Sequence, residues 1–260
     1  MKPFILKNWE SILAEFGLSW EVLPLFLIIA FLYSSVGHGG ASGYLALFAL
    51  LGVARSEIAP VVLVLNIIVA VGGFINYYRA KHFNYKLLLP FIIGSIPGAF
   101  FGGLIKVPQD VFIIILGGVL LLASFRLLLV KNQLESRWEK VRDRIFLIGI
   151  PVGFLLGILA GITGIGGGIF LSPLLLLMGW ADVKKTAAVS SAFIVLNSLS
   201  GLFAKVLSYT IHWDIILILG IVVVAGGQIG SRLGAYKFNP TVLQRLLGAV
   251  LLIAGLKMII

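Results

Sequence analysis

The stretch GILAGITGIGGGIFLSPLLLLMGW, Gly157 to Trp180, is apolar enough to sit in lipid, yet five glycines, a threonine and a proline interrupt it between Gly161 and Pro173. Glycine weakens a helix and lets the backbone turn where other residues cannot. Such a break inside an apolar run predicts a helical hairpin rather than a plain span.

Composition sets the solvent around that hairpin. Of the 260 residues, 60% are hydrophobic and only 12% charged, and the mean hydropathy is +1.12. Soluble domains are closer to half apolar and a quarter charged, so the expected class is an all-α polytopic membrane protein. Apolar runs of spanning length recur from Leu18 to the last residue. The net charge of +10 resides in short loops between these runs, as the positive-inside rule requires, and nucleic acid is excluded as a partner. The chain has no cysteine, which removes disulfide and thiolate chemistry. No cofactor is expected.

A second copy of the hairpin pattern lies upstream. SSVGHGGASGYLALFALLGVARSEIAPVVLVLN (Ser34 to Asn66) aligns with ITGIGGGIFLSPLLLLMGWADVKKTAAVSSAFIVLN (Ile162 to Asn197). Gly98 and Gly102 match Gly226 and Gly230, and Leu116 to Arg126 matches Leu247 to Lys257, with the offset held between 127 and 132 residues. Each half thus reads as an apolar helix, a glycine break, a short apolar arm and three long helices. The expected long helices are 57–79, 86–106 and 109–130, then 185–208, 213–234 and 241–260. The arms 44–53 and 169–180 are too short to cross about 30 Å of hydrocarbon. Each half makes an odd number of passes, so two inverted repeats are predicted. The domain plan is an interfacial amphipathic segment 1–17, a first repeat 18–130, a basic cytoplasmic linker 131–144 and a second repeat 145–260. With that linker inside, fourteen of the 20 Lys and Arg residues fall inside and six outside, which predicts periplasmic termini in an inner membrane.

Glycine-interrupted segments at matching places in inverted halves point to a transporter's binding site. The expected tips are Gly37, Gly39 and Gly40 in one half and Gly164, Gly166, Gly167 and Gly168 in the other. Each arm starts just after its tip, so a helix N-terminus, with free N–H groups and partial positive charge, points into the membrane. Ser34, Ser35, Ser42 and Thr163 stand close enough to add donors, and all ten acidic residues map to loops or helix ends. The site is predicted to take a small oxyanion, the lipid bilayer being the other partner and a homodimer a further option.

The two-fold repeat, the GIGGG hairpin of Gly164 to Gly168 with Pro173 after it, and the length resemble the TauE/SafE family, also called the toluene-sulfonate uptake permease family. That resemblance covers Leu18 to Ile260 and implies a permease or exporter for sulfite or an organosulfonate. The first copy, GHGGASG, departs from it by placing His38 opposite Ile165 and lacking the proline.

Single residues carry further expectations. His38 is an ionisable side chain at membrane depth, a functional candidate for binding the anion or carrying a proton, or else a neutral cap of its hairpin. Asn66 and Asn197 hold matching places inside apolar helices, where they line the site or act as glue between helices. The GxxxG pairs Gly98/Gly102 and Gly226/Gly230 read as close packing. GASG around Ser42 imitates the serine motif of rhomboid-type proteases, so a hydrolase using Ser42 and His38 is one rival and an anion channel another. No GxxxxGK[ST] loop occurs, so the chain is not expected to hydrolyse nucleotide. Transport would draw on an ion gradient, the membrane potential or the substrate's own gradient.

Overall fold

A computed structural model of the chain describes residues 18–51, 53, 55–105 and 138–259, with single positions at 13, 117–118, 121, 124–125 and 128–129. Apart from those single positions, the predicted interfacial segment 1–17 and the helix 109–130 lie outside the described residues, as does most of the linker 131–144. What is described is helical, without strands.

The helices begin and stop where local chemistry says they should. α1 (Leu23–Ser35) opens with Pro24 in its first turn, where a missing N–H costs nothing. After the first glycine break come α2 (Ala41–Leu50), α3 (Arg55–Arg79) and α4 (Tyr85–Leu104). The Asn84 side chain caps α4 by accepting from the backbone N–H groups of Lys86 and Leu87. In the second half α5 (Ile145–Thr163) ends at Gly164, in the left-handed conformation that often closes helices. Then follow α6 (Gly168–Leu177), α7 (Val183–Lys205) capped by Asp182, α8 (Trp213–Arg232) and α9 (Pro240–Ile259). The short arms start at Ala41 and Gly168, three residues and one residue earlier than sequence predicts. A π-helical turn, Leu233–Lys237, prolongs α8.

Among the described residues, five helices are long and apolar enough to cross a membrane: Ile58–Arg79, Tyr85–Leu104, Ile145–Thr163, Val183–Lys205 and Trp213–Lys237. Leu147, Leu155, Phe203 and Ile221 are exposed on the outside of the bundle, an arrangement that water would penalise and lipid accepts. The chain is a multi-pass membrane protein.

Helix packing crosses between the halves. α5 lies along α4 and α1 along α8, while α3 meets α7 and α8, and α7 meets α4. Exchanging each helix for its repeat partner leaves this set of pairs unchanged. Close approach rests on glycine. A Cβ on Gly94, Gly98 or Gly102 would collide with the backbone of α5, and one on Gly153, Gly157 or Gly161 with that of α4. Gly226 and Gly230 meet the backbone of α1 at Leu27 and Phe31 in the same way. Both GxxxG pairs therefore pack helices, as sequence predicts. Without a hydrophobic drive between helices in lipid, such contacts supply much of the association.

The breaks sit at different heights along α7. Gly37 abuts the backbone of Ala187, near the start of α7, whereas the nearest atom beyond Gly164 is on Lys205, the last residue of α7. α5, with 19 residues, extends about 28 Å at ~1.5 Å per residue. By length and composition it is long enough to cross a membrane alone.

Candidate functional site

The two breaks converge on one side chain. Asn66, in the middle of α3, is 1% exposed. Its Oδ1 accepts from the backbone N–H of Ala41, the first residue of α2, at 3.1 Å, and its Nδ2 donates to Ser198 Oγ of α7 at 2.9 Å. A Cβ on Gly39 would strike this same amide, and a Cβ on Gly166 would strike both Asn66 Nδ2 and Ser198 Oγ. The repeat partners Gly39 and Gly166 thus flank a single amide, and only a residue without a side chain fits at either place. Gly166 and Gly167 have φ of 72° and 75°, consecutive left-handed positions that a β-branched residue would not hold.

His38, Gly39, Gly40, Ser42 and Asn66 line a small cavity here, together with Tyr33 and with Ile165, Ile169 and Ile194 from the second half. Ser42 donates to Tyr33 Oη at 2.9 Å, which leaves the phenolic hydrogen available as a donor. His38 is 2% exposed and reaches across to the second hairpin, where Nε2 lies 2.7 Å from Ser172 Oγ of α6. Ser172 in turn donates to Ser190 Oγ of α7 at 2.8 Å. His38 therefore pairs with Ser172 and Ser42 pairs with Tyr33, so the Ser42–His38 couple that the rhomboid-like reading would need is not formed.

Other predicted site residues lie around this centre. Ser34, Ser35 and Thr163 return their hydroxyl hydrogens to carbonyls of their own helices, at Phe31, Leu32 and Leu159. Ser35 also stands beside Tyr77, whose hydroxyl bonds its carbonyl, away from the cavity. Gly167 packs against Ala160 and Phe193, and Gly168 against Ile194. Asn197 donates to Phe193 of its own helix at 2.8 Å, and its Oδ1 has no partner. Sequence reasoning missed Tyr33, Ser172, Ser190 and Ser198. Tyr33 is a polar tip five residues before His38, a signal that was available. The serines of α6 and α7 carry none, since serine inside an apolar helix ordinarily bonds its own backbone.

No metal-holding group of three or more His, Cys, Asp or Glu occurs among the described residues. His82, between α3 and α4, hydrogen-bonds the carbonyl of Ala235 in the π-helical turn at 3.3 Å, and burial lowers its pKa. It ties that loop to α8, well away from the cavity.

No solved structure matches the chain. It is similar to the probable membrane transporter protein y4hK of Sinorhizobium fredii, with 30% identity over 244 residues, covering 90% of this chain and 95% of that protein. It is also similar to the probable membrane transporter protein YjnA of Bacillus subtilis, with 28% identity, covering 93% of this chain and 100% of the other. The family model described as sulfite exporter TauE/SafE matches residues 22–258. With that match across both glycine breaks and every described span, the chain belongs to the TauE/SafE family of membrane transporters.

Proposed function

We propose that the protein is a secondary transporter of a small oxyanion, sulfite or an organosulfonate, which it binds where the two glycine breaks meet. The observation that carries this is the shared amide: both breaks close on Asn66, beside a cavity with buried polar walls. Asn66 Oδ1 occupies the N-terminus of α2 as an anion oxygen would, since backbone N–H groups there attract negative charge. When the anion arrives, the amide turns aside and the ligand takes its place. Tyr33, Ser42 and Ser198 supply hydroxyls around it, and Gly39 and Gly166 let it approach the backbone.

Alternating access is the transport mode that this reading favours. Support comes from the exchange of helix partners between halves and from breaks entered near opposite ends of α7, the arrangement that inverted repeats would produce. The same orientation puts the Lys- and Arg-rich loops inside and both termini in the periplasm.

The test is binding to purified protein in detergent, measured calorimetrically across sulfite, sulfate, thiosulfate and small sulfonates. The expected result is selective binding of sulfite or a sulfonate that Asn66→Asp, which sets a carboxylate against the anion, abolishes. Equal heats from all four anions, or binding untouched by Asn66→Asp, would remove the site from this place.

A further inference from the structure

The polar groups around His38 fix which nitrogen of the imidazole carries its hydrogen. Ser172 has one hydroxyl hydrogen, and it goes to Ser190. At its contact with His38 the Ser172 oxygen can then only accept, so Nε2 carries the ring's hydrogen. Nδ1 is left as a bare lone pair, buried and unpartnered, in a ring that lines the cavity.

We infer that the chain Ser190–Ser172–His38 holds the imidazole as the Nε2–H tautomer, so that an oxyanion loads only together with one proton, taken up on Nδ1. This rests on the anion site proposed above. A lone pair repels an anion, whereas Nδ1–H donates a charge-assisted hydrogen bond to it. The step is a simple one: an N–H bond forms with a proton from solvent, and the imidazolium and a monovalent anion neutralise one another inside the bundle. Entering as a pair, they avoid leaving a single charge in a low-dielectric interior. Titratable groups facing the ring are the phenol of Tyr33 on α1, with ring centroids 6.4 Å apart, and that of Tyr44 on α2, which lies behind Gly40. α3, α6 and α7 present Asn66, Ser172 and Ser190, and no charged side chain lines the cavity. Ser172 and Ser190 are thus positioning residues, acting through His38.

Nitrogen NMR on histidine-labelled protein in nanodiscs reads this directly, because the chain has only 3 histidines and His38→Gln assigns the signal. Near neutral pH, without ligand, His38 should show a protonated Nε2 and an unprotonated Nδ1. Ser172→Ala should collapse that preference to a mixture of tautomers, and Ser172→Thr should restore it. Sodium methanesulfonate and sodium sulfite are then added in turn. Methanesulfonate is permanently ionised, so a proton taken up with it belongs to the protein. Either anion should protonate Nδ1, and methanesulfonate should bind with uptake of one proton per anion from weakly buffered solution. A wild-type Nδ1–H tautomer, or methanesulfonate that binds without proton uptake, overturns this inference alone. If neither anion binds while the tautomer is as expected, the proposed function falls and this inference falls with it.

Discussion

The two hairpins have the same backbone plan and different chemistry. In the first, the N-terminus of α2 is capped by the Asn66 amide, and His38 extends from the break into the other half. In the second, Gly167 precedes α6 with no side-chain cap, Ile165 stands where His38 would, and Asn197 is folded back on its own helix. The first break thus brings polar side chains to the centre, while the second brings space and bare backbone. An internal repeat can preserve geometry and still divide the work, because a helix break depends on glycine whereas a hydrogen bond depends on which partner the other half presents.

Sidedness gives the largest expected effect. If the halves are inverted, Lys86→Cys in the first turn of α4 and Ser208→Cys just beyond α7 label from opposite faces with an impermeant thiol reagent. The native chain has no cysteine to confuse the result. Labelling of both from one face would end the inverted reading.

Bulk at the tips comes next. Gly166→Val combines a β-branched residue at φ 72° with a clash against Asn66 and Ser198. It should cost ~2–4 kcal/mol in stability and abolish anion binding. Gly39→Val should also abolish binding, through its clash with the Asn66 amide. A folded Gly166→Val protein that binds the anion at wild-type affinity would separate the second break from the site.

The two asparagines sharpen the comparison most. Asn66→Ala leaves the Ala41 N–H and the Ser198 hydroxyl without their partner, and a loss of ~1–3 kcal/mol is expected. Asn197→Ala removes one bond to its own helix and an oxygen that has no partner, so under ~1 kcal/mol is expected. Thermal unfolding in detergent measures both, and equal losses would erase the functional difference between the hairpins. The smallest effect belongs to Thr163→Val. Its hydroxyl is bonded to Leu159, so anion affinity should change by less than about 1 kcal/mol; a larger loss would bring Thr163 to the ligand.

The sequence alone determined the membrane class, the glycine breaks and the packing role of Gly98, Gly102, Gly226 and Gly230. These follow from local or periodic properties: apolar run length, helix propensity and the need of close-packed helices for residues without side chains. It also marked His38 and Asn66, because polar groups are rare at that depth. Only the tertiary structure decided what those groups touch. Ser172 lies 134 residues from His38, and Ser198 lies 132 from Asn66, and no spacing rule relates such distant positions. Asn66 and Asn197 read alike along the chain yet differ in the fold, because a buried amide bonds to whatever stands within about 3 Å of it, and the packing of the opposite half chooses that neighbour.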